Sequence, residues 1–266
     1  MSQDLVFILL LALRMAVAAA FVVTASVITE RSGPVIGALV ATLPISAGPS
    51  YVFLALDHDA TFIAQGALAS LAVNAATMFL ALTYVLLAQR QNAVISVGGA
   101  ITVWIILAAM QRMVAWSLTS GLIANAISFA ICLPLLQRFR HVKMPLVTSR
   151  WYDIPLRAGL VAMLVATVVT LSRWVGPAVS GTIALLPVVL TSLMVILHPR
   201  IGGPATAAMI ANGGWGLMGF GLSFVVLHLA ARGFGSAIGL SLALATCVGW
   251  NLVLWWLGRR TSRLGR

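Results

Sequence analysis

A chain of 266 residues with 61% hydrophobic and only 8% charged side chains is not a soluble domain, because soluble domains carry about 25% charged residues. Apolar runs of about 20 residues recur from end to end, the length that crosses a bilayer as a helix, so the expected fold is an all-α polytopic transmembrane bundle with no soluble domain. The runs are apolar on every face, which argues against a transmembrane barrel. The net charge of +11 sits mostly in short links and at the C-terminus, the pattern of positive-inside anchoring rather than nucleic-acid binding.

The first span is expected over 5–28. It lacks a basic leader and a polar continuation, so it reads as a retained helix rather than a signal peptide. Arg14 lies about 15 Å into it, near the midplane, where it would attract an anionic group. The competing reading has Arg14 snorkel outward.

The second span, 34–56, opens on Gly33-Pro34 and contains Pro44, followed by Gly48-Pro49. Pro34 suits a helix start. Pro44 removes a hydrogen bond and clashes with the preceding turn, at about 3 kcal/mol, so a break is expected between Leu43 and Ser50.

The third span, 60–88, carries Gly66, Ser70 and Asn74 at intervals of four, a small polar stripe that lets another helix approach closely. Spans over 93–110 and 113–136 follow, since 93–136 is too long for one crossing. The basic loop 138–152 holds Arg138, Arg140, Lys143 and Arg150, then Trp151-Tyr152. Beyond it lie spans at 154–171, 177–197 with Pro187 inside, a glycine-rich 205–231, and 234–257 with an arginine-rich tail.

Residues 14–44 overlay residues 157–187 without a gap, and nine of 31 positions match. Shared Ala, Val and Leu are cheap in such a chain; Arg14/Arg157, Gly33-Pro34/Gly176-Pro177 and Pro44/Pro187 are not. An internal duplication follows. Its units are 1–112 and 153–266, each of four spans, joined by a linker helix at 113–137 and the basic cytoplasmic loop 138–152. Five spans separate the two starts, so nine spans place the units in opposite orientation, an inverted repeat. With the N-terminus outside and the C-terminus cytoplasmic, eleven basic residues fall inside and three outside, leaving out Arg14 and Arg157.

Two interrupted helices at matching places point to a transporter-type site at the midplane. The candidate substrate-binding residues are Pro44, Pro187, Thr42, Ser46, Asn74, Asn212 and Arg14. The helix-start and hinge candidates are Gly33, Pro34, Gly48, Pro49, Gly176 and Pro177. Asn74 and Asn212 follow the two broken spans and could face one cavity. His228, near a span end, reads as interfacial.

All five acids stand at span boundaries, and no zincin, P-loop or serine-hydrolase motif occurs. Cys132 and Cys247 lie in apolar runs, so no disulfide or thiolate metal site is expected. The expected protein is a non-enzyme without a cofactor, metal or nucleic-acid partner. It is read as a small secondary transporter or exporter of a small solute. The alternative is a non-transporting assembly or accessory subunit that binds partner helices through the small-residue faces of the third and eighth spans. A membrane enzyme on lipid-linked substrates is a weaker third.

The stretch Glu30-Arg31-Ser32-Gly33-Pro34-Val35-Ile36-Gly37-Ala38-Leu39-Val40-Ala41-Thr42-Leu43-Pro44-Ile45-Ser46 resembles the "RSPxLGALLAxLPLxS" phrase of the small four-span GlpM-like proteins of the bacterial inner membrane. The second copy, 172–189, is similar but lacks the Arg-Ser-Gly run and the final Ser. The resemblance implies a duplicated unit in the inner (plasma) membrane of a bacterium. It implies no particular activity and no functional residue.

Overall fold

The computed structural model describes residues 3–31, 44–142 and 150–264, and every regular element among them is a helix. In chain order these are α1 (Gln3–Arg31), α2 (Ala47–Asp57), α3 (Ala60–Leu87), α4 (Ala93–Gln111), α5 (Leu118–Gln137), α6 (Asp153–Ala184), α7 (Val188–Ile201), α8 (Gly203–Phe234) and α9 (Ser236–Leu264). Among the described residues, seven helical segments are long and apolar enough to cross a membrane. One of them is the 49-residue stretch Asp153–Ile201, which as a single helix would be about 74 Å long against a hydrocarbon core of about 30 Å.

That stretch does not stay straight. Gly176 adopts φ 74°, ψ 175° inside α6, a left-handed φ that glycine reaches without a Cβ penalty. Pro177 follows at the start of the next turn, where its missing N–H costs nothing. The long arm of α6 therefore ends at Gly176, and a short arm runs over 177–184. Gly176 and Pro177 mark the kink between the two arms. The corresponding Gly33 and Pro34, with Thr42, lie outside the described residues.

The bundle is built on an antiparallel pair, α3 and α8, with α3 the most enclosed helix. Nδ2 of Asn74 donates to the Leu217 carbonyl at 3.1 Å, and Nδ1 of His228 donates to the Ala64 carbonyl at 2.7 Å. Helix α4 flanks α3 and α9 flanks α8. Helix α4 also lies against α7, and α9 against α2. Helix α5 packs on both α3 and α8.

A second antiparallel pair, α1 and the long arm of α6, joins around buried Ala18, Val22, Val161 and Val165. Phe7 near the start of α1 lies under the guanidinium of Arg173 near the end of that arm. Branched and small side chains interdigitate at both crossings, as membrane helices without a hydrophobic drive between them require.

The turns use two chemistries. Asp59 and Asn92 cap α3 and α4 by accepting from the Phe62 and Ile95 amides, the usual side-chain cap. At positions 143 residues further on stand Gly202 and Gly235, both at φ 86°, and they close the turns before α8 and α9. Ser117 and Ser120 form a capping box at the start of α5.

Candidate functional site

The second broken span is visible in full. After the short arm of α6, the Leu185 amide turns back to the Thr182 carbonyl and Val188 N–H closes a tight turn onto Leu186 O at 2.7 Å across Pro187. Pro187 (φ −78°, ψ 50°) has the inverse γ geometry. Helix α7 then restarts, with Thr191 N–H on the Pro187 carbonyl. The first broken span is described from Pro44 onward: Gly48 N–H bonds to Pro44 O at 2.8 Å and α2 begins at Ala47. Ser46 precedes it without a side-chain cap, and its carbonyl accepts from Ser50 Oγ.

The break frees the Gly181 carbonyl, whose usual donor, the Leu185 amide, has turned to Thr182. Ser70 Oγ donates to that carbonyl at 2.8 Å, so its neighbour Tyr51 must be the donor in the 2.7 Å Tyr51–Ser70 contact. One hydrogen-bonded chain thus runs from α2 through α3 to the short arm of α6 and links the two broken spans. The approach needs glycine at position 181: a Cβ there would stand 2.1 Å from the Gly66 carbonyl oxygen, whereas one on Gly66 would meet nothing closer than 3.4 Å.

The stripe of Gly66, Ser70 and Asn74 is therefore occupied. Asn74, fully buried, donates to Asn125 Oδ1 at 2.9 Å as well as to Leu217, and its own Oδ1 has no hydrogen-bond partner among the described residues. Asn212 is not with it. It is exposed and accepts from Arg140 Nε at 2.7 Å, tying α8 to the segment after α5. His228, expected to be interfacial, is buried between its own helix α8 and α3.

Pro44 and Pro187 line separate cavities, of about 290 and 410 Å³. The two are counterparts. Val17, Pro44, Gly48, Pro49 and Val52 of the first match Leu160, Pro187, Thr191, Ser192 and Val195 of the second, each 143 residues on. Ser223 and Leu244 match Leu80 and Ile101 by the same offset in reverse. Both walls are almost wholly apolar, and both open sideways past exposed Val17, Val52, Leu160 and Val195.

Each cavity has an ion pair beyond it. Arg14 grips the carboxylate of Asp57 at the end of α2 through both Nη groups, one at 2.7 Å, and its guanidinium lies 5.8 Å from the ring of Phe53, which lines the first cavity. Arg200 at the end of α7 grips Asp153 at 2.6 and 2.7 Å, one turn before Leu156 of the second cavity. Asp57 and Arg200 are themselves 143 residues apart, with the charge reversed. Arg150, with Arg200 behind it, holds the Tyr152 phenol below its ordinary range.

The two pairs sit at opposite ends of the long arm of α6. His58, next to Asp57, donates to Ser172 Oγ at 2.9 Å, since Ser172 spends its own hydrogen on Val169 O. From Asp153 to Ser172 the long arm rises about 29 Å, the thickness of a hydrocarbon core. Arg14 stands two turns, about 10 Å, further along α1 than Phe7 beneath Arg173, and its side chain reaches back along the helix to Asp57.

Sequence reasoning named Pro44, Pro187, Arg14 and the stripe, but missed Tyr51, Phe53, Asp153 and Arg200 as partners in the site. The opposite charges at Asp57 and Arg200 were a legible signal. No protein-family model, curated protein or solved structure matches this chain.

Proposed function

We propose that this integral membrane protein is a small secondary transporter made of two inverted four-helix units, with nine spans, the N-terminus outside and the C-terminus cytoplasmic in a bacterial inner membrane. The observation that carries the reading is the pair of matched cavities at the two helix breaks. A constant offset of 143 residues also relates Asn74 to Leu217, Ala18 to Val161, Val22 to Val165, and Asp57 to Arg200. The first three pairs lie on the two antiparallel crossings and the last at the ends of the two half-helices, a pattern that fits a pseudo-twofold axis in the membrane plane. The GlpM-like resemblance belongs to the same proposal, as the source of the duplicated unit.

Transport then consists of one unit rocking against the other, with the half-helices α2 and α7 moving about the breaks at Pro44 and Pro187. Chemistry on the solute is not needed, and the chain acts as a non-enzyme. The accessory-subunit reading is less favoured, because the small-residue face of α3 is filled by the chain's own α6 and α8.

Solute flux in proteoliposomes tests it. Pro44→Ala with Pro187→Ala should insert and remain folded yet lose most of the flux, because continuous helices remove the breaks. Undiminished flux in the double variant would sink the broken-helix mechanism. Reporters fused in the 112–117 link and in the 138–150 loop should read outside and cytoplasmic, and a cytoplasmic reading at the first would end the inverted-repeat arrangement.

A further inference from the structure

We infer that the two cavities are binding sites for an amphipathic lipid carrying both a phosphate and an ammonium group, one site in each leaflet, and that this is the class of molecule the protein moves. The second clause rests on the transport reading above; the first does not.

Two features of the cavities themselves place a lipid there. The walls are hydrocarbon-like, with no charged side chain lining either cavity, so a water-soluble solute would lose its hydrogen bonds on entry while an acyl chain would lose nothing. The openings face sideways between half-exposed Val17 and Val52 on one side and Leu160 and Val195 on the other, so the route in is from the bilayer.

The dimensions agree. Helix α2 has 11 residues and spans about 16 Å, half a hydrocarbon core. Each cavity lies between a break and an ion pair, and the pairs stand about 29 Å apart along α6. The cavities therefore belong to opposite leaflets, each running from mid-membrane towards a membrane surface.

The charges agree as well. At the surface end each site offers one cation and one anion: Arg14 with Asp57, and Arg200 with Asp153. A headgroup with a phosphate and an ammonium meets both signs, phosphate on the guanidinium and ammonium on the carboxylate. An anionic headgroup would face the carboxylate, and a cationic one the arginine. The link from headgroup to tail is Phe53, which touches Arg14 on one side and lines the cavity on the other.

The test uses the full chain in vesicles containing a photoactivatable phosphatidylethanolamine, with a fluorescent phosphatidylethanolamine for movement between leaflets. Labelling should concentrate on α2 and α7. Val52→Trp with Val195→Trp, which plugs both openings, should cut it about tenfold. Ile123→Trp, on the exposed face of α5 away from both cavities, should leave it unchanged. Labelling spread evenly over all exposed helices, and indifferent to the plug, overturns the lipid sites. Flux of a water-soluble solute without cavity labelling overturns them too and leaves transport standing. Cavity labelling with no movement of the fluorescent lipid upholds the sites and overturns the transport reading. Accelerated movement that the plug abolishes supports both.

Discussion

At the scale of single residues, one methyl group decides how closely the two broken spans come together. Gly181 meets Gly66 backbone to backbone, and Ser70 can reach the freed carbonyl only because nothing stands between them. Gly181→Ala should destabilise the protein by at least the roughly 1–3 kcal/mol of an overpacked site. Gly213→Ala, on the exposed side of α8 with nothing within 4 Å of the added Cβ, should instead stabilise it by about 0.5–1 kcal/mol through helix propensity. Thermal unfolding in detergent reads both, and the signs should be opposite. The stripe of Gly66, Ser70 and Asn74 was legible as a docking face because its spacing of four is a helical one. What docks there was not legible, since Gly181 is distant in sequence and belongs to a helix whose register depends on Gly176. Asn212 shows the converse: a polar residue in an apolar run looked inward-facing, but an arginine far away in sequence holds it at the surface.

At the scale of elements, the proline positions told more than the hydrophobic pattern. Pro187 breaks its helix as its place within an apolar run required, and α2 begins just past Pro44. The cavities beside those breaks could not be read from sequence, because their walls come from four elements each. The ion pairs are element-scale devices: one ties α1 to the end of α2, the other the start of α6 to the end of α7. Arg14→Asp with Asp57→Arg restores both charges at nearly the same place, whereas Arg14→Asp alone sets two carboxylates together. Unfolding midpoints of the two single variants and the double should give a coupling energy on the order of 1 kcal/mol, favouring the double. Additive losses would mean that the Arg14–Asp57 contact does not hold α1 to α2.

At the scale of the whole molecule, composition alone identified a helical membrane bundle, and the boundaries of α3, α4 and α8 fall within three residues of those expected. The overlay of 14–44 on 157–187 was visible because Arg, Gly-Pro and Pro are rare in apolar runs. Positions of α3 and α8 at the same offset of 143 share burial and not identity: Met78 stands against Gly221, and Val85 against His228.

The two ways of closing the turns have a consequence for the order of assembly. Asp59 and Asn92 each cap a helix with their own side chain, worth about 1 kcal/mol apiece, and that help needs no neighbour. Gly202 and Gly235 close their turns through their own backbone N–H and carbonyl groups and bring no side chain to accept from the first turn, so α8 and α9 rely more on docking for their placement. The half that leaves the ribosome first thus carries local instructions, and the later half is moulded on it. A chain ending at residue 142 should insert and resist protease in its α3–α4 region. A chain beginning at residue 150 should be degraded unless the first half is supplied alongside it, and if the second half proves the more protected when alone, this order is reversed.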